Sequence, residues 1–169
     1  MPRFRVSSAE STIEIGLRVN LHPSHITAQG LRGYIDCELD SRMQPDLRKP
    51  YRARLSLPVK AITSGNPLQD REMRRRLAAS RHPSIGATVT YGERAGAHGR
   101  YRASAKLTLH GVTREVTAEV RIAVRDSTMT VDGEQVIDMQ EFGVDPPRLL
   151  VLRMEPQVDV RAHIVAALE

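Results

Sequence analysis

Apolar and polar residues alternate with a period of two along most of this chain. Ile13, Ile15, Leu17, Val19 and Leu21 alternate with Glu14, Gly16, Arg18 and Asn20, the pattern of a strand with one buried face. Ile35, Cys37 and Leu39 repeat it, which puts Asp36 and Glu38 on the solvated face. The same alternation runs over 53–59 (Ala53, Leu55, Leu57, Val59), 101–109 (Ala103, Ala105, Leu107, Leu109), 116–124 (Ala118, Val120, Ile122) and 158–166 (Val160, Ala162). Shorter candidates lie at 85–91, 129–131 and 136–139. Eight or nine strands with short turns between them predict an all-β antiparallel sandwich or barrel.

Turn chemistry divides these runs. His110-Gly111 separates two alternating stretches and reads as a hairpin tip, and Asp132-Gly133 reads as a second one. One segment breaks the period. Residues 67–79 hold strong helix formers and no β-branched residue, with Asp70–Arg74 and Glu72–Arg76 as i,i+4 charge pairs in the favourable order. They predict a short surface helix, with Leu68, Met73 and Leu77 facing inward over one end or side of the sheet.

Composition narrows the picture further. The 169 residues suit one domain spanning 1–169, and 40% hydrophobic content suffices for a real core. The net charge of +5 comes almost entirely from arginine, since Lys49, Lys60 and Lys106 are the only lysines. No basic stripe is interleaved with aromatics and no finger or helix-turn-helix spacing occurs, so nucleic acid is not an expected partner. A single cysteine, Cys37, excludes an intramolecular disulfide and a cysteine-rich zinc site, and its place on an apolar face makes it a small buried hydrophobe. The first sixteen residues lack the apolar stretch of a signal peptide, and the longest apolar runs, 149–152 and 164–168, are far too short to span a bilayer. A cytoplasmic protein that does not insert into membranes is the expectation.

Candidate chemistry is thin. His22 and His25 flank Pro23 in an expected loop, but nothing specifies a third metal ligand. Ser56, Ser64 and Ser104 have no nucleophile elbow around them, and Asp36 with Glu38 reads as solvated strand charge. No nucleotide-type glycine loop is present, so no cofactor is expected and no reaction is selected.

Several segments carry a family resemblance. The stretch 59–73, Val-Lys-Ala-Ile-Thr-Ser-Gly-Asn-Pro-Leu-Gln-Asp-Arg-Glu-Met, resembles the loop-to-helix signature of the YceI-like, polyisoprenoid-binding family, and His82-Pro83-Ser84-Ile85 matches its proline before the next strand. Residues 107–116, Leu-Thr-Leu-His-Gly-Val-Thr-Arg-Glu-Val, resemble the family's most recognisable motif. Glu141-Phe142-Gly143-Val144 matches its late turn, and Gly30-Leu31-Arg32-Gly33-Tyr34-Ile35 is similar near the start. The chain departs from the family at Ala105, where glycine is common, and at Ala79-Ser80-Arg81, which lacks an aromatic pair. Family members are often exported, which contrasts with the expectation above.

The resemblance implies a lipocalin-like antiparallel barrel of about eight strands with one short helix, enclosing a long apolar cavity for an isoprenoid chain, such as a polyprenyl diphosphate or a quinone tail. It also suggests a homodimer. On that reading Ile15, Leu17, Val19, Leu55, Leu57, Val59, Met73, Leu77, Leu107, Leu109, Val120, Ile122 and Val160 line the cavity, and Arg71, Arg74 and Arg75 hold a headgroup. A filled barrel serving as a protein-interaction module has the same alternation and remains the alternative.

Overall fold

The computed structural model describes residues 1–20, 24–146, 148–149 and 152–169, with side chains described at all of these except 148, 149 and 152. Twelve strands form one sheet: β1 (Arg3–Val6), β2 (Thr12–Val19), β3 (Ser24–Ala28), β4 (Arg32–Asp36), β5 (Arg52–Pro58), β6 (Ile62–Thr63), β7 (Ser84–Arg94), β8 (Arg100–Leu109), β9 (Val112–Arg125), β10 (Thr128–Asp138), β11 (Arg148–Leu149) and β12 (Leu152–Leu168). One helix, α1 (Pro67–Arg76), stands between β6 and β7.

The sheet closes on itself. Order β1-β4-β5-β7-β8-β9-β10-β12 returns to β1 through the pairs Phe4↔Leu168 and Val6↔Ala166, giving a closed antiparallel ring of eight strands. Closure leaves the ring without an unpaired edge, which the long one-faced strands require. Further along its length β12 pairs with β2, which continues through β3 to β6. Thus β1 and β2 act as one broken stave, as do β3 with β4 and β5 with β6. At the first break Ser11 is fully buried, where its hydroxyl accepts from the Val165 amide at 3.0 Å and donates to the Val165 carbonyl at 3.3 Å.

The turns separate expectation from outcome. His110 and Gly111 form the β8–β9 tip, both with positive φ (55° and 71°), as a primed hairpin turn requires. Asp132 and Gly133, by contrast, lie within β10, paired with Arg121 and Val120. The turn before β10 is Asp126-Ser127, at φ 48° and 65°. Gly133 is a packing glycine: a Cβ there would come within 2.8 Å of Val120 Cγ1. His25 also departs from expectation, because it lies on β3, exposed between Ser24 and the buried Ile26. His22 and Leu21 lie outside the described residues.

The strand predicted over 35–39 ends at Asp36. Asp36 is buried rather than solvated, because Arg3 covers it with a bidentate pair at 2.7 and 2.8 Å. The Arg3 guanidinium itself stacks 4.0 Å from the Tyr34 ring centroid. That pairing holds the Asp36 carboxyl below the ordinary range against its desolvation.

The core is packed at one end. Phe4, Val124, Met129, Ala166 and Cys37 form a tightly buried cluster, against which Ile122 and Val131 pack. The loop after β4 joins this end through Gln44, whose Oε1 accepts a hydrogen bond from Tyr101 Oη at 2.9 Å, and through Tyr51 Oη, which accepts one from the Gly92 amide. The other end is organised around α1 and the 3₁₀ turn Met139–Phe142, with Val59, Leu77, Leu109, Phe142 and Val144 buried together.

Candidate functional site

Between these two ends the barrel is hollow. A cavity of about 810 Å³ opens under α1 and runs down the interior. Its volume lies within the range of roughly 300–1,000 Å³ typical of small-molecule sites. Four successive inward positions of β2 line it, from Ile13 to Val19, which corresponds to a depth of about 20 Å at the strand rise.

The wall is built by the period-two alternation. Ile15, Leu17 and Val19 from β2, Leu55 and Leu57 from β5, Leu107 and Leu109 from β8, and Val160 from β12 all face the space. Met73 and Leu77 close it from the helix side. Three residues named on the same grounds do not line it. Val59 sits in a 3₁₀ turn after β5, buried among Leu77, Leu109 and Phe142. Val120 packs across Gly133 on the neighbouring strand, and Ile122 belongs to the packed end. Alternation told which side of the strand these face; it did not tell how far down the barrel they stand.

Other wall residues lack that long alternation in the sequence or stand at its margins. Ile26 and Ile62 come from the short strands β3 and β6, and Ile85 and Ala87 from β7. Met154 and Pro156 come from the start of β12, where the register against β2 shifts between Met154 and Val158. Pro156 cannot donate to a ladder, and a bulge is where a sheet accommodates such a residue.

The lid is fixed by its own chemistry. Asn66 caps α1, its side chain accepting from the amides of Leu68 and Gln69 at 3.0 and 3.3 Å, and Pro67 occupies the first turn. The helix stops at Arg76, shorter than the predicted 67–79, because Ala78 takes a left-handed conformation at φ 51°. Asp70 is turned to the barrel and accepts from both the amide and the hydroxyl of Ser64, which lowers its pKa from the ordinary carboxyl value. The expected Asp70–Arg74 contact is therefore replaced, and Arg74 reaches toward the Lys60 carbonyl at 3.4 Å. Leu68, expected to face inward, is 76% exposed on the cavity rim, since it falls in the first turn beyond the barrel wall.

The arginines sit differently from expectation. Arg71, Arg74 and Arg75 do not line the cavity; Arg76 does. Arg75 and Arg76 both bind Glu72 at 2.8 Å, which depresses the Glu72 carboxyl to about 2. Among the described residues the lining includes four acidic residues, Asp70, Glu72, Asp145 and Glu155, and one arginine, Arg76. Among the described residues no group of three or more His, Cys, Asp or Glu is placed to hold a metal ion. The geometry is thus that of a deep apolar container with a polar, carboxylate-rich mouth.

A closed antiparallel barrel with one helix over an apolar cavity defines the lipocalin-like class. Within that class the chain belongs to the YceI-like family, whose domain model matches residues 4–166. Solved structures share the fold at low identity. BcnA of Burkholderia cenocepacia superposes with a TM-score of 0.80 at 19% identity, covering 96% of this chain and 99% of its own. A polyisoprenoid-binding domain from Saccharophagus degradans, implicated in plant cell wall breakdown, gives 0.77 at 14% identity over 98% of each chain. The Campylobacter jejuni YceI protein gives 0.66 at 11% identity, over 85% of this chain and 84% of its own. No curated relative matches the sequence.

Proposed function

We propose that this chain binds a long apolar ligand, an isoprenoid chain or a similar lipid, and does so without catalysing a reaction on it. The carrying observation is the cavity of about 810 Å³ lined along its depth by aliphatic side chains. Each methylene-sized group transferred from water into such a wall contributes about 0.8 kcal/mol, so a long tail supplies affinity without any specialised polar group. The family membership and the polyisoprenoid-binding domain among the structural neighbours support the same reading. A filled interaction module has no use for this volume.

Native mass spectrometry of the purified protein, with organic extraction of what it carries, tests the reading. A stoichiometric isoprenoid or other long-chain adduct is expected, taken up by the apo protein when the lipid is added in detergent. Leu107→Trp, which narrows the cavity from its wall, is expected to weaken uptake while the fold is retained. No adduct and no uptake by the natural sequence overturns the proposal.

A further inference from the structure

The outer face of α1 has a composition that solvent alone does not explain. Leu68 is the most exposed large apolar side chain among the described residues, and it stands on the rim of the cavity. Arg71 and Arg75 follow at i+3 and i+7, so the three project from the same side of the helix, and both arginines are exposed. The helix carries Arg71, Arg74, Arg75 and Arg76 against Asp70 and Glu72, and Asp70 is turned inward to Ser64. Glu72 pairs with Arg75 and Arg76, which leaves Arg71 the exposed helix cation outside that pairing. Asp145 and Glu155 line the cavity itself rather than this outer face. Lys60 and Arg81, exposed on the segments flanking the helix, add further positive charge beside it.

We infer that this face docks the mouth of the barrel onto an anionic lipid bilayer. The inference rests on the cavity being a lipid site: a ligand insoluble in water has to enter and leave through hydrocarbon, and the opening beside α1 is where it passes. Leu68 enters the interfacial region, and Arg71, Lys60 and Arg81 meet lipid phosphates, whose negative surface potential complements them. An exposed leucine beside cations suits such an interface better than bulk water, because the arginine stems cover apolar surface while their charges stay at headgroup level.

The test is flotation of the apo protein with vesicles of phosphatidylcholine alone and of phosphatidylcholine with about one third phosphatidylglycerol, at low and high salt. Partition is expected on the anionic vesicles at low salt only. Leu68→Ser and Arg71→Glu should each weaken it by about tenfold or more. Arg125→Glu, at the far end of β9 beside the Asp126-Ser127 turn, should leave it within about twofold. Equal partition on both vesicle types, none on either, or an equal loss from Arg125→Glu overturns the inference. Because these vesicles contain no isoprenoid, the result is independent of cavity occupancy: docking without uptake defeats the cavity reading alone, and uptake in detergent without docking defeats this one.

Discussion

Asp70 and Ser64 form a two-point clasp, in which the carboxylate accepts from the serine amide at 2.8 Å and from its hydroxyl at 2.7 Å. The clasp ties the first turn of the lid helix to the segment that follows β6. Hydrogen bonds to a charged group are worth about 1.5–3 kcal/mol, so Asp70→Ala is expected to lower stability by roughly that amount in denaturant titrations. Ser64→Ala, which keeps the amide donor, should cost less. The folded carboxyl has a lowered pKa, so its contribution is present above the unfolded value near 3.9 and is lost as pH falls through the lower folded value. Acid unfolding of Asp70→Asn should therefore show a shallower loss of stability below about pH 4 than the natural sequence.

The carboxylate-rich mouth bears on which headgroups the proposed cavity accepts. Among the described lining residues the one arginine, Arg76, is held by Glu72, and Asp145 and Glu155 add negative charge nearby. A diphosphate placed there meets like charge and no free cation among the described lining residues, and like-charge juxtaposition disfavours binding. A polyprenol is expected to bind at least tenfold more tightly than the diphosphate of the same tail, a difference of about 1.4 kcal/mol. Competition against a fluorescent long-chain lipid checks this; a tighter diphosphate would return the arginines of α1 to a headgroup role.

Cys37 is 2% exposed in the packed end, and burial pushes its thiol up to about 11, with Asp36 and Glu38 acting in the same direction. The thiolate is the reactive form. Ellman's reagent is expected to label none of the native protein at pH 8 and one thiol per chain after unfolding in guanidinium. Prompt labelling of the folded protein would contradict the packing described for this end.

Gly133 has Val120 on the next strand where a Cβ would project. Gly133→Ala is expected to destabilise by about 1–3 kcal/mol, the usual cost of overpacking. Adding Val120→Ala in the same chain should recover much of that loss, because the clash is between these two side chains. A thermal or chemical denaturation cycle of the single and double variants reads the coupling.

Gly133 also shows what a linear reading can and cannot extract. Asp-Gly is a turn signal by its backbone preferences, but a glycine inside a strand that makes room for a neighbour has the same sequence appearance. Local alternation made the inward faces of β2, β5, β8, β9 and β12 legible, because a period of two is imposed by the pleat itself. It could not distinguish Leu107, which meets open space, from Ile122, which meets Phe4's end of the core. Depth along the barrel is set by register between strands distant in sequence. Asp36 looks solvated in the sequence for the same reason, since its partner Arg3 is brought to it by the β1–β4 pairing. The short strand β3 has too weak an alternation to be legible, because only Ile26 and Ala28 mark its buried face.

The seam of the barrel has a bearing on how it assembles. Phe4 pairs with Leu168, and Arg5 bonds Glu169 at 2.9 Å across a separation of 164 residues. Such contacts place the chain among high-contact-order folds, whose folding is slow because loop closure precedes its reward. At synthesis rates of about 5–20 residues per second, β1 waits many seconds for its partner to leave the ribosome. Ring closure therefore waits on β12, the last of its eight strands in chain order, and the apolar wall is sealed from water only when that strand pairs with β1.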